Sequence, residues 1–509
     1  MIGFERRRDT RDFIELGATV TQLSSDLDEQ QLKRLEKCKK FWNFYEGYHW
    51  EDIPDVDTPE ITVNYCRPFV NKFVAFELGK GFTFTVHKDC ENTVVAPDGR
   101  TLFEYLEDIW EDNDQYVLAT EMGQMKSVTG EAWLQVRYYS PDELNDPFMK
   151  YPDGRIKILV QPTSVVFPEY NPHQKGVLER LSIVYQYYEI ENYGILGTKT
   201  RKVLKTYKQI WTKDEVATYL GVQEPVVVPN KYGVIPFIQI KNFVEAGRNE
   251  GQSDIEDVIP MNVEYNLKQS NVSEILDYHA APVTLVFGAK IGNLEKGANK
   301  LWGGLPKDSK VQNLELNGDL GASHSYIQSL KQEMCEVAGI PETVLGGAQS
   351  ISNTSGVALQ YMNLPIIERV NVKKQLTEGG LERVNEVVLL VSLLEGLITK
   401  PEEIPMRDFV HTEVTLSDTL PKDTLLELQQ LQQELATGLE SRRGALQRLG
   451  REDIENKISE IDREKEDQMK RDLQYQSTAQ LNSGFTNGQT PPEQTRIEMT
   501  GQNKKLSNE

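Results

Sequence analysis

Residues 339–360 read GIPETVLGGAQSISNTSGVALQ, and the patterns on either side of this stretch decide how the chain is read. Upstream, 322–338 places Ile327, Leu330, Met334 and Val337 at the spacing of one helix face. Gly339 is placed to cap that helix and Pro341 to stop it. A run of Gly, Ser, Asn and Thr follows, with Ile351 as its single exposed apolar candidate. A second helical pattern starts near Ser355 and runs to about Glu395, interrupted at Pro365. A small, flexible loop held between two long helices suits a mobile element presented to something. Loops on rigid scaffolds are where function concentrates.

The chain has 509 residues, too many for one hydrophobic core, which predicts about two to four domains. With 39% apolar and 26% charged residues it reads as globular, and no window approaches the ~20 apolar residues of a membrane span. The N-terminal MIGFERRRDTRDF lacks the apolar run of a signal peptide, and no membrane partner is expected. Cys38, Cys66, Cys90 and Cys335 are scattered without a CxxC spacing, which disfavours disulfides and zinc and predicts a reducing, intracellular compartment. The net charge of −22 repels nucleic acid on average and disfavours a sequence-specific DNA binder.

In chain order, 28–45 reads as an amphipathic helix with Leu32, Leu35, Cys38, Phe41, Trp42 and Tyr45 on one side and Gly47 as its stop. His49 beside Trp50 reads as packing rather than a ligand pair. NYCRPFVNKFVAFE (64–77) is a mostly apolar helix, and LGKGFTFTV (78–86) a Gly-broken turn into a strand. Lys80 sits in that turn and not in a phosphate loop, because GxxxxGK[ST] is absent. Residues 101–138 predict a helix and then a strand, and 156–240 an antiparallel β region, so the fold class is α+β.

From Gly251 the character changes. Ser253 and Glu256 form a capping-box pattern that predicts a helix to about Ala281, with Pro260 either kinking it or marking its true first turn. Its apolar stripe is thin, and Asn262, Asn266, Gln269, Ser270, Asn271 and Ser273 occupy the other faces. A helix this polar is expected to pack among copies or line a wet space. Residues 282–312 form a compact excursion carrying Lys290, Lys296, Lys300, Lys307, Lys310 and Trp302. It reads equally as a solvated hairpin loop or as a docking tip. Further on, FVHTEVTL (409–416) predicts a strand, and two Leu/Ile stripes over 428–461 a helical hairpin. The polar tail beyond Tyr475 has no periodicity and is expected to be disordered.

The search for chemistry is negative. No GxSxG, HExxH, GxGxxG after a strand, or paired-Cys site occurs, and the six histidines are isolated in sequence. No catalytic residue, cofactor or metal is expected. A packaging motor or nuclease, the enzymatic alternative, is disfavoured by the missing phosphate-binding loop. A non-channel scaffold or filament-forming interaction protein built on the long helices stays open as the alternative.

Four pieces, in order, carry a resemblance to tailed-bacteriophage portal proteins, the head–tail connectors through which DNA is packaged. FYEGYH (44–49) with NYCRPFVNKFVAFELGKGFTFTV (64–86) resembles the portal start. GVIPFIQIKNF (233–243) with SDIEDVIPMNVEYN (253–266) resembles the strand entering the first stem helix. GIPETVLGG…NTSGVALQ resembles the tunnel-loop region, and TLPKD…SRRGALQRLGREDIENKISEI the crown hairpin. Pro260 inside the stem helix and the long basic tip depart from the family pattern.

The resemblance implies a portal-type α+β subunit that assembles as a ring. Residues 1–251 would be an α/β wing, 252–281 the first stem helix, 282–321 a small clip and 322–339 the second stem helix. Residues 340–356 would be the tunnel loop, 357–420 a kinked long helix and a wing strand, 421–475 a helical crown and 476–509 a disordered tail. It implies a homo-oligomer, usually of twelve subunits, at one capsid vertex of the virion, assembled in the host cytoplasm. Lys290, Lys296, Lys300, Trp302, Lys307 and Lys310 would dock the large terminase and later the head–tail adaptor proteins. Gln349, Ser350, Ile351, Ser352, Asn353 and Thr354 would project into the DNA channel. Major capsid and scaffolding proteins would be further partners, and double-stranded DNA would pass without sequence readout, since small polar side chains touch backbone rather than base edges.

Overall fold

The computed structural model describes residues 27–50, 61–144, 150–174, 176–193, 199–220, 224–280, 284–287, 308, 310–313, 320–346, 361–417, 424–439, 441, 444–446, 457–465 and 470. The chain divides into two compact units, Met1–Leu420 and Pro421–Glu509.

The first unit opens with helix α1 (Glu29–Glu46), started by an Asp28/Gln31 capping box and stopped at Gly47 in the left-handed conformation. Helix α2 (Cys66–Leu78) buries Phe69, Val70, Phe73 and Val74 and turns into strand β1 (Phe82–Val86). The helix predicted after residue 101 is in fact two, α3 (Leu102–Asp112) and α4 (Gln115–Thr129). They part at Asn113, whose side chain bonds the Ile109 carbonyl, and at Asp114, which has φ 51°.

Strand β2 (Glu131–Tyr139) is central to a three-stranded antiparallel sheet, flanked by β3 (Arg155–Gln161) and β9 (Phe237–Lys241). Alternation sends Ala132, Leu134 and Val136 into one core and Trp133 into another, so this strand is buried on both faces. A five-stranded antiparallel sheet follows in chain order: β4 (Val166–Tyr170), β5 (Leu178–Tyr193), β6 (Lys199–Trp211), β7 (Glu215–Leu220) and β8 (Val226–Pro229). Leu181 and Ile183 on one face pack with Trp133 and Phe237. Phe167 and Val184 on the other face pack with Leu27 and Leu35 of the α1 region.

Helix α5 (Val258–Ala280) and helix α6 (Leu320–Ala338) pack together. Between them, β10 (Thr284–Phe287) and β11 (Lys310–Asn313) pair antiparallel. The capping box predicted at Ser253 does not start α5. Ser253 Oγ is committed to the Val128 carbonyl at 2.6 Å, and the helix begins at Val258 with Pro260 in its first turn.

Helix α7 (Leu364–Leu394) runs for 31 residues with Pro365 in its first turn; Tyr361 and Met362 before it are helical as well and Asn363 is a turn, so the helical pattern breaks beside the expected proline. Asn385 on α7 accepts from the Trp110 indole at 2.9 Å and donates to Thr412 at 3.0 Å, locking the helix to α3 and to β12 (Thr412–Leu416). β12 pairs antiparallel with β1, Phe82 opposite Leu416, which ties the two ends of the unit together. The strand predicted from Phe409 starts three residues later, because Met406–Val410 forms a short helix after Pro405.

In the second unit, helix α8 (Thr424–Thr437) buries Leu431, whereas Leu428, Leu435 and Leu439 of the predicted stripe are exposed.

Candidate functional site

Both roots of the loop quoted at the outset lie in one hydrophobic core. Helix α6 buries Ile327, Leu330, Met334, Cys335 and Ala338. Val337, expected on the buried face, is 45% exposed, and Cys335 takes that role. The helix ends in a Schellman motif: Gly339, at φ +67°, donates to Glu336 O at 3.0 Å, and Ile340 donates to Cys335 O at 2.9 Å. Ile340 is buried beside Cys335, and Val344 and Leu345 pack on the same cluster. Lys331 on α6 bonds Glu342 at 2.8 Å, and that carboxylate raises the lysine's pKa. On the far side, Ile366 and Val370 of α7 enter the same core as Phe69, Phe73, Val258 and Ile259. The described residues on both sides of segment 347–360 therefore belong to one packed core.

Arg369 sits at the junction. Its guanidinium donates to Val337 O at 3.4 Å, lies 3.6 Å from the Asp254 carboxylate, and covers the rings of Phe73 and Phe243. Beneath it, Glu77, Lys126, Asp254 and Lys373 form a fully buried group. Lys126 donates to Glu77 and, at 2.7 Å, to Thr377. Lys373 donates to Asp254 at 2.7 Å and faces the second oxygen of Glu77 at 3.8 Å, while Ser127 donates to Asp254. Burial pushes the Lys126 pKa down, and Glu77 works against that. Burial works against the Asp254 carboxylate too, but Lys373 and Arg369 outweigh it and hold its pKa below the ordinary 3.8. Two anions and three cations thus join α2, α4, the entry to α5 and α7 in one electrostatic knot.

The polar face of α5 has a different fate from the one expected. Asn262, Asn266 and Ser270, one turn apart, are buried against the extended segment 61–65 of the same chain. The backbone N–H of Ile61 donates to Ser270 Oγ at 3.1 Å, that of Val63 to Asn266 Oδ1 at 3.0 Å, and that of Tyr65 to Asn262 Oδ1 at 3.1 Å. Asn262 returns a bond to the Val63 carbonyl at 2.8 Å. These side chains satisfy the backbone of a segment that belongs to no sheet, so Asn262, Asn266 and Ser270 are buried within the chain and do not line a wet space. Asn271 and Glu274 remain exposed on α5.

His49 completes this ladder. It stacks on Phe44, accepts at Nδ1 from Asn266 at 2.8 Å, and its Nε2 donates to Phe44 O at 3.0 Å. Only the neutral ring with its proton on Nε2 fits both bonds. Burial lowers its pKa below 6.5, although the Phe44 carbonyl works the other way. The unfolded chain therefore binds the proton first, and stability should fall as pH drops below 6.5. Denaturant unfolding from about pH 8 to pH 5 checks this: His49→Gln should flatten the slope, and an unchanged slope contradicts the assignment.

A cavity of about 510 Å³ beside α2 and α4 is lined by Asn71, Glu77, Tyr116, Thr120, Gln124 and Ser417. Among the described residues no group of three or more His, Cys, Asp or Glu side chains could hold a metal ion, and no helix is long and apolar enough to cross a membrane.

The profile of the phage portal protein family, SPP1 Gp6-like, matches residues 24–471. The chain belongs to that family.

No curated protein sequence matches this portal-family chain. Similar solved structures include a chain from the virion of a native gene transfer agent particle, 11% identical, with TM-score 0.42, covering 81% of this chain and 93% of that one. Another comes from the neck of the native particle computed with C12 symmetry, at 12% identity and TM-score 0.39, covering 75% and 88%. A third comes from the neck of the empty particle computed with C6 symmetry, at 12% identity and TM-score 0.42, with the same coverage.

Helices α5 and α6 fall largely within the ranges expected as stem helices, and β10–β11 within the range expected as the clip. Lys310 is exposed on β11, opposite Phe287. Lys290, Lys296, Lys300, Trp302 and Lys307 fall outside the described residues, as do Gln349, Ser350, Ile351, Ser352, Asn353 and Thr354. Sequence reasoning missed the buried knot entirely. Glu77, Lys126, Asp254 and Lys373 are up to about 300 positions apart, and the one local signal, for Glu77, Lys126 and Lys373 alone, is a charge on the buried side of a helix.

Proposed function

We propose that copies of this chain close into a ring, twelve in the usual portal count, at one capsid vertex, and that the ring is the channel for DNA packaging and ejection. The family match over 24–471 carries this reading. The rooting of both ends of the 347–360 segment in one rigid core supports a loop held at a defined radius of that channel. The role is structural and not enzymatic: the ring docks the large terminase and afterwards the adaptor proteins through its clip, in the virion, after assembly in the host cytoplasm.

The net charge of −22 suits a conduit, because each phosphate neutralised by a channel wall adds salt-dependent affinity that would stall the duplex. Residues 349–354 would touch the backbone without reading bases. Replacing 349–354 by Gly and Ser of equal length should leave rings intact and lower packaging by about tenfold or more, read as nuclease-protected DNA per capsid. Packaging at the wild-type level would remove the loop from the mechanism. Replacing Trp302 with its neighbouring lysines should instead abolish terminase capture by preformed rings.

A further inference from the structure

The six histidines are scattered along the sequence, yet the fold brings His87 and His411 together. Strand β1 pairs with β12 from Phe82 opposite Leu416 to Val86 opposite Thr412, and the same register carried one position further sets His87 opposite His411. Their ring centres are 6.2 Å apart. Phe82 and Phe84 face inward with Val414 and Leu416, so by alternation the two histidines stand on the outer face with Thr83, Thr85, Glu413 and Thr415. His411 is exposed, and His87 keeps 33% of its side chain in solvent.

The nitrogens of the two rings can be accounted for one by one. At His87, the backbone N–H and the carboxylate of Asp89 both lie at Nδ1, at 3.4 and 3.6 Å, which leaves Nε2 as the open nitrogen. When the ring proton moves from Nε2 to Nδ1, the Asp89 carboxylate can accept it. A carboxylate behind the imidazole in this way orients a metal-ligating histidine. His411 makes no hydrogen bond or ion pair among the described residues. Cys90 is buried with its thiol on the Asp408 carbonyl at 3.7 Å, and it stays out of this group.

Two imidazoles bound to one tetrahedral ion at ~2.0–2.1 Å have their ring centres about 5 Å apart. The spacing here is about 1 Å wider, a difference that side-chain rotation of two solvent-facing rings closes. We infer that His87 and His411 form a two-histidine site for a divalent transition ion that prefers imidazole: zinc, nickel or copper. Among the described residues no third His, Cys, Asp or Glu completes the set, so water fills the remaining positions. The ion clips the outer end of β12 to β1. A two-stranded sheet holds weakly by itself, and this one joins the two ends of the first unit just ahead of its boundary at Leu420. An ion that binds only the paired strands stabilises their pairing by mass action. The site is independent of the ring reading.

The test uses the full chain and zinc alone. Titration calorimetry at pH 7.5 should show one zinc per chain that His87→Gln and His411→Gln each remove. His173→Gln, at an exposed histidine outside the pair, should leave that zinc in place. Asp89→Asn should weaken its binding by about tenfold or more. Zinc should also slow amide hydrogen exchange in β12 of the wild-type chain and not of either histidine variant, a readout that uptake elsewhere would not move. Zinc uptake that the double variant keeps in full overturns the site, and so does a wild-type chain that takes up none at about 1 mM zinc. Half a zinc per chain, with zinc-dependent pairing of copies in sedimentation velocity, would mean that the histidines bridge two chains and would overturn the clip.

Discussion

Glu77→Ala is expected to destabilise the first unit by about 3–5 kcal/mol, among the largest losses any single side chain here should produce. The reason is what it leaves behind. Lys126 and Lys373 are completely buried, and both face Glu77. Removing the carboxylate strips Lys126 of its ion pair and leaves Lys373 with Asp254 alone, in a setting where unpaired charge is costly. Replacing Glu77 and Lys126 together by Leu and Met should cost much less, because the desolvation penalty of both charges disappears with their attraction. Urea unfolding of the two variants measures the difference. A loss for Glu77→Ala below about 1 kcal/mol would contradict the knot as a structural tie. The same group sets an acid limit. With its pKa depressed in the fold, Asp254 contributes stability that is present above 3.8 and lost as pH falls through the folded value. Asp254→Asn should remove that part of the acid loss.

Gly130→Ala should be comparably damaging for a different reason. Gly130 ends α4 at φ +91°, and a Cβ there would lie 2.3 Å from the carbonyl oxygen of Gly251. That contact is backbone against backbone and has no side chain to swing away. The crossing also holds the entry to α5: Asn242 donates to Gly130 O at 2.8 Å and, through its side chain, to Gln252 O at 3.1 Å. The left-handed penalty and the overlap together should cost about 2–5 kcal/mol. Gly99 provides the control, with φ +94° but nothing within 4 Å of an added Cβ. Gly99→Ala should cost only about 1 kcal/mol. Equal losses at both positions, measured by urea unfolding, would show that the close approach is not the cause.

The local elements were legible where one rule decided them. The stop at Gly339 followed from a periodic stripe, a glycine and a proline in succession, and α6 ends there in a Schellman motif. Alternation in GEAWLQVRYY revealed β2, though not that both of its faces are covered. Failures came where distant chain competed for the same groups. Ser253 looked like a helix cap, but its hydroxyl is taken by Val128, some 125 positions earlier. Asn262, Asn266 and Ser270 looked like a wet face because nothing local announces that segment 61–65 lies across them. The stop of α6 ahead of the 347–360 segment was legible in sequence, whereas the charged group packed beside its flanks is assembled from α2, α4, the entry to α5 and α7 and is invisible to any window of sequence.

Electron microscopy of the purified chain tests the central claim most directly. The account predicts closed rings with a central hole, their subunits related by one rotation axis and the α5–α6 pairs running alongside that hole. Open filaments or irregular clusters would contradict it and point to a scaffold whose interface does not close.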